Sequence, residues 1–234
     1  MSTFHNLLTN LPGVSAFCTL AGFNICTYTG AEANPADMEL LEKHTEISRN
    51  RMFFPVQTHS AIVKQVPNDL QGVDAVIATG HGTLIGVHTA DCLPLLLADT
   101  SAEVIAAVHC GWRGTVAGIV KNTITEMIAL GAQPERIAAA FGPHICPECF
   151  EVGEEVAMQF PDNAVIRIPD QKPRVNLAEA VTSQLKSLGI TNIENPGLCS
   201  KCNPDFYSVR RQGYNLTHRT LSAIYLNNST KNQF

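Results

Sequence analysis

The chain has 234 residues, 45% of them hydrophobic, and a formal net charge of −5 with basic and acidic residues interspersed. That is enough apolar material to bury a substantial core as one compact domain over residues 1–234, and the lack of a basic run excludes a face that tracks nucleic-acid phosphates. No stretch approaches the ~20 apolar residues that cross a bilayer, and Met1 to Pro12 lacks a basic segment followed by an apolar run, so the expectation is a cytoplasmic protein with no membrane or nucleic-acid partner.

In chain order, Asn34-Pro35-Ala36-Asp37 supplies a capping side chain, a proline at the first helical position and an early acid, which predicts a helix to about Arg49. Short β-rich runs follow: Met52 to Gln57, Ala61 to Val66, Val73 to Ala78, Thr83 to His88, Cys92 to Ala98 and Glu103 to His109. Val116, Ile119, Val120, Ile124, Met127 and Ile128 then recur at helical spacing, with Gly131 and Pro134 as the stop. A strand from Arg136 to Phe141, helices at about Val152 to Phe160 and Asn176 to Leu188, and a last strand from Arg219 to Leu226 complete the pattern. It implies a layered α/β fold, a mixed β-sheet flanked by helices, with Pro161 to Pro173 as a surface loop.

Chemistry concentrates where apolar runs end. Cys92 opens the run Leu93 to Ala98, His109 closes Val104 to Val108, and His59 follows another run in Gln57-Thr58-His59-Ser60, so all three can project from strand ends. One thiolate and two imidazoles suit zinc, with copper as a possible occupant, and three protein ligands leave a position open for water or substrate. Buried cysteine and core histidine are the bland alternative, and the separations match no short zinc signature.

Gly111-Trp112-Arg113-Gly114 joins a predicted strand to a helix, where free N–H groups favour an anion and Arg113 can grip phosphate; the two glycines can equally just serve a turn. Asp91, beside Cys92, is a candidate catalytic carboxylate, either moving protons or, as we prefer, accepting from a ligand histidine. His144 in Gly142-Pro143-His144-Ile145 is a candidate pocket residue or a solvated loop histidine, and His88 is similarly ambiguous. Tyr207 is placed to stack on a ring or to pack, and Arg210 and Arg211 to hold an anion.

The segments Q-T-H-S, D-A-V-I-A-T, T-A-D-C-L-P-L-L-L, A-A-V-H-C-G-W-R-G-T-V-A-G-I, F-G-P-H-I-C-P-E-C-F-E-V-G and F-Y-S-V-R-R stand in this order. In them the chain, from about Asn24 onward, resembles the YfiH-type purine nucleoside phosphorylases, a family also described as laccase-domain polyphenol or multicopper oxidases. The resemblance implies that His59, Cys92 and His109 are metal ligands. It also implies phosphorolysis of purine nucleosides such as adenosine, inosine and methylthioadenosine, with phosphate as co-substrate, together with deamination of adenosine. Ser60 stands where the family usually has glycine, Cys110 where it has alanine, and Thr217-His218-Arg219 where T-G-R is common; the N-terminal T-R-x-G-G-x-S stretch is reduced around Thr19 to Phe23.

Three other functions compete. Copper oxidation of phenols needs several coppers and clustered imidazoles, and the eight histidines include no His-x-His. A metal-free hydrolase or deamidase would use Cys92 as nucleophile and His109 as base. A non-catalytic metal-binding scaffold would fold, load metal and turn nothing over. Eight cysteines in a reducing compartment should remain thiols. The pairs Cys146/Cys149 and Cys199/Cys202 are separated by more than a zinc-ribbon spacing and are expected to be packed or surface thiols rather than a second metal site.

Overall fold

The computed structural model describes residues 3–26 and 33–227. Two larger sheets carry the fold. The first has the order β1 (Phe4–Leu7), β2 (Val14–Thr19), β13 (Thr220–Leu226), β6 (Leu84–Thr89) and β3 (Met52–Phe53). The second has the order β12 (Asn192–Glu194), β9 (Ala138–Phe141), β7 (Leu93–Asp99), β8 (Val104–Cys110), β5 (Ala75–Thr79) and β4 (Val63–Gln65). A small ribbon pairs β10 (Val165–Ile166) with β11 (Arg174–Val175). The helices are α1 (Pro35–Thr45), α2 (Trp112–Val116), α3 (Ile119–Ala129), α4 (Glu154–Ala157), α5 (Leu177–Ser187) and α6 (Val209–Gln212).

The two sheets pack face to face and helices cover the outer faces. In β7, Leu93, Leu95 and Leu97 face Ile119, Ile124 and Met127 of α3 and Val181 and Leu185 of α5. Leu96 and Ala98 point the other way, to Val14, Ile85, Val87 and Ile224 of the first sheet. Both faces are covered, so the run shows no polar alternation. Beyond the first sheet, Leu41 of α1 packs on Phe17, Leu84 and Leu221. The expected layered α/β architecture with mixed sheets is observed, but the strands divide between two sheets because alternate residues on both need apolar partners.

Local chemistry moved several boundaries. Helix α1 stops at Thr45, whose hydroxyl donates to Leu41 O at 2.8 Å, and Glu46 turns out at φ 57°. The helical run expected from Val116 is broken at Gly118, with φ 90°, into α2 and α3. The strand expected to reach Gln57 ends at Phe53, and the Gln57 side chain clamps β6 instead, its amide nitrogen donating to His88 O and its oxygen accepting from His88 N, each at 2.8 Å. No helix among the described residues is long and apolar enough to cross a membrane.

Strand directions fix the site. β7 and β8 are antiparallel, with Leu93 opposite Cys110, and β5 and β8 are antiparallel, with Ala75 opposite Val108. The start of β5, the start of β7 and the end of β8 therefore share one edge.

Candidate metal centre

Asp74 immediately precedes β5, Cys92 precedes β7 and His109 lies near the end of β8, so the shared edge gathers all three. His59 arrives on a tight turn at φ 63°, a left-handed conformation uncommon outside glycine. The turn is held because its N–H groups converge on one buried carboxylate. Thr58 N and Ser60 N donate to Asp74 Oδ2 at 3.1 and 2.7 Å, and His59 N donates to Oδ1 at 3.0 Å. Ser60 Oγ lies 2.7 Å from Oδ2, and His109 Nδ1 lies 2.7 Å from Oδ1. The ligand atoms of His59, Cys92 and His109 all fall within 4.8 Å of one another, with Cys92 Sγ 3.7 Å from His59 Nε2. Asp74 occupies Nδ1 of His109 and so leaves Nε2 for a ligand.

Burial would raise the Asp74 carboxyl, but hydrogen bonds from His109 and Ser60 outweigh it and hold it down at about 2. Burial raises the Cys92 thiol as well, yet the charge of His109 and hydrogen bonds from both imidazoles bring it to about 6. Burial pushes His109 down, and the Cys92 charge and Asp74 more than reverse that, to about 9. The two imidazoles thus favour the thiolate of Cys92, the form that binds metal or attacks carbon.

Two glycines make room for it. A Cβ on Gly111 would sit 2.7 Å from His59 Cδ2 and 3.3 Å from Cys92 Sγ, and one on Gly114 would sit 2.8 Å from Ser60 O. Close approach explains both residues, and α2, with five residues, offers only a short dipole.

The family model described as multi-copper polyphenol oxidoreductase laccase matches residues 5–227. The chain belongs to that family. A relative named adenosine deaminase RL5, from an unknown prokaryotic organism, is 36% identical over 250 residues, covering 92% of this chain and 95% of its own. A Bacteroides thetaiotaomicron protein named purine nucleoside phosphorylase is 33% identical over 251 residues, covering 96% and 92%. The crystal structure of the YfiH protein from Bacillus licheniformis matches the fold with a TM-score of 0.84 at 24% identity, covering 92% of this chain and 93% of that one.

Within this laccase-family fold the other candidate residues take different places. Asp91 does not orient a ligand histidine. At φ 95° it turns its carboxylate toward the C-terminal part of the chain, where Oδ1 accepts from Ser200 Oγ and Oδ2 from Arg210 N, each at 2.7 Å. Asp74 does the orienting instead. Sequence reasoning passed over it, although it is the first residue of the quoted D-A-V-I-A-T segment and an acid at the mouth of an apolar run.

The Arg211 guanidinium is taken up by the carbonyls of Ser200, Lys201, Asn203 and Phe206, so it braces a loop rather than holding phosphate. Arg210 Nη1 donates to Glu151 O at 3.1 Å. Tyr207 is buried, its hydroxyl accepts from Gly22 N at 2.8 Å, and it packs rather than offering an open face. His144 is not a solvated loop residue: it is buried, its ring bonds Gly142 O through Nδ1 at 2.8 Å, and burial lowers its pKa. Arg113 is exposed, with its guanidinium 4.4 Å from the Trp112 ring centroid.

Two family departures are absorbed locally. Ser60 adds a hydroxyl to the Asp74 cradle, and Cys110 is a fully buried core thiol that burial keeps protonated. The two Cys-x-x-Cys pairs, expected to be separate packed or surface thiols, instead converge, with all four sulfurs within 4.8 Å.

Proposed function

We propose that the chain is a zinc-dependent purine nucleoside enzyme that phosphorolyses adenosine and inosine, with methylthioadenosine as a further substrate, and also deaminates adenosine. The carrying observation is the convergence of His59, Cys92 and His109 with Asp74 behind His109. The donor set fits zinc: a thiolate, one imidazole fixed through its far nitrogen and a second on a braced turn. The names of the relatives supply the substrate class. A multicopper cluster finds less support, because only two imidazoles converge among the described residues.

His59, Cys92 and His109 would hold the metal, which when bound supplies Lewis-acid activation of water near neutral pH. Asp74 keeps the His109 proton on Nδ1 and prevents the ring from turning. Phosphorolysis needs an anion held beside the ribose C1′ as the base departs through a cationic, oxocarbenium-like state. Of the three candidate arginines we assign Arg113 to that task, since the guanidinium of Arg211 is bonded to backbone carbonyls and Nη1 of Arg210 donates to the backbone carbonyl of Glu151.

The test is to incubate metal-quantified protein with adenosine, with and without phosphate and chelator, and to separate the products by chromatography. Adenine formed only with phosphate and inosine formed without it, both lost on chelation and in Cys92→Ala, support the reading. Loaded protein that gives neither product overturns it.

One observation favours a second reading: Cys92 Sγ lies within 4.8 Å of a ring nitrogen of His109, whose far nitrogen is held by Asp74, an arrangement that also suits a cysteine nucleophile and its base. Such an enzyme keeps its activity under chelation and loses it on alkylation.

A further inference from the structure

Away from the proposed active site, two loops bring four cysteines together. The first loop follows β9, with Cys146 and Cys149 flanking a single 3₁₀ turn in which Cys149 N donates to Cys146 O at 3.0 Å. The second follows β12, with Cys199 and Cys202 on a turn closed by Asn203 N to Cys199 O at 3.0 Å. A backbone bridge fixes the loops side by side: His144 N donates to Leu198 O and Ser200 N to His144 O, each at 3.0 Å.

All four Sγ atoms lie within 4.8 Å of one another, and Cys149 Sγ is 3.4 Å from Cys202 Sγ. Zinc–sulfur bonds of about 2.3 Å in a tetrahedron set sulfur–sulfur separations of about 3.8 Å, so the cluster has the span such an ion requires. Two backbone N–H groups, of Cys146 and Cys202, point at Cys199 Sγ from 3.4 Å each. Donors aimed at a sulfur suit a thiolate ligand. These thiols are not core packing: Cys146, Cys149 and Cys199 are half-buried and Cys202 is exposed, unlike the core thiols Cys18 and Cys110.

We propose that Cys146, Cys149, Cys199 and Cys202 form a structural zinc site, closed by four sulfurs and separate from the His59–Cys92–His109 centre. Its position gives it work in the fold. The 199–202 turn carries Ser200, which holds Asp91, and Arg211 ties the same turn to the chain leading into α6. A zinc ion there staples the loop after β9 to the loop that grips the residue preceding Cys92.

The test uses the full-length Cys92→Ala protein, in which the other centre is disabled, so a failure of this proposal stays distinct from a failure of the purine reading. Purified without added metal, it should carry one zinc per chain, and cobalt(II) in its place should give the visible bands of a tetrahedral all-thiolate site. Adding Cys149→Ser and Cys202→Ser should remove that zinc. If this variant does not fold, alkylation of the native Cys92→Ala protein decides: peptides bearing the four cysteines should stay unlabelled until a chelator is added. A zinc-free Cys92→Ala protein with reactive thiols, a species lighter by two hydrogens from a disulfide, or bound iron in place of zinc would each overturn the proposal.

Discussion

Asp74 and His109 are joined twice: the side chains meet at 2.7 Å between Oδ1 and Nδ1, and His109 N donates to the Asp74 carbonyl at the same distance. The backbone bond locks the imidazole to the sheet edge, and the carboxylate locks its rotation. Asp74→Asn keeps the shape but presents an amide NH₂ to groups that are themselves donors. Zinc affinity, read by competition with a chelating dye, should fall about 10–100-fold. Thermal stability should fall as well, by roughly 3 kcal/mol for a broken buried pair. Unchanged affinity would show that Asp74 serves the fold alone.

Gly111→Ala and Gly114→Ala should fail in different ways. Gly111 has φ −69° and ψ 159°, which alanine adopts freely, and its new methyl would meet the movable His59 ring. Metal affinity should drop at least about tenfold with little loss of stability. The Gly114 methyl would meet the Ser60 carbonyl, which is backbone, so the fold should lose about 1–3 kcal/mol by urea denaturation. Equal destabilisation of both variants would contradict this division.

Arg113→Ala should raise the KM for phosphate about 10–100-fold, the value of one charge-assisted bond, and leave phosphate-independent deamination nearly intact. Stability should change by less than about 0.5 kcal/mol, because the side chain is exposed. Matched losses in both reactions would mean that Arg113 shapes the Gly111–Gly114 turn instead.

His88 gives the fold a pH dependence. Burial, reinforced by the Arg219 charge, pushes its pKa down to about 3. Between that value and its unfolded value near 6.5, the unfolded chain takes up a proton that the folded one refuses, so stability falls as pH drops through this window. At pH 5 the loss is roughly 2 kcal/mol relative to neutral pH, at 1.36 kcal/mol per unit. Urea midpoints at pH 7 and pH 5 should show a shallower slope for His88→Gln than for the parent. Parallel slopes would place the acid sensitivity elsewhere.

The convergence of His59, Cys92 and His109, the candidate metal ligands, was legible because each of them follows or borders an apolar run. The carboxylate behind them was not. Proximity in sequence favours Asp91, one residue from Cys92, but its left-handed φ aims it at Ser200 and Arg210. Asp74, 35 residues from His109, reaches it only through the β5–β8 register. The division into two sheets was hidden for a related reason: Leu93 to Ala98 is apolar at every position, so nothing in it marks which residues face helices and which face strands. The convergence of two distant cysteine pairs depends on a backbone bridge between His144 and Cys199 that no local pattern announces.

The meeting of three strand ends at one edge also bears on the order in which the molecule assembles. Asp74, Cys92 and His109 all come from the stretch covering β5 to β8, in which β7 pairs β8 through a short connection and β5 pairs β8 across β6 and β7, whereas β2 must find β13 at the far end of the chain. Short-range pairings form before long-range ones. The edge that carries the candidate metal site thus rests on nearer pairings than the sheet that joins the chain's two ends, and an ion captured there would hold a half-built protein on course while its terminal strands find each other.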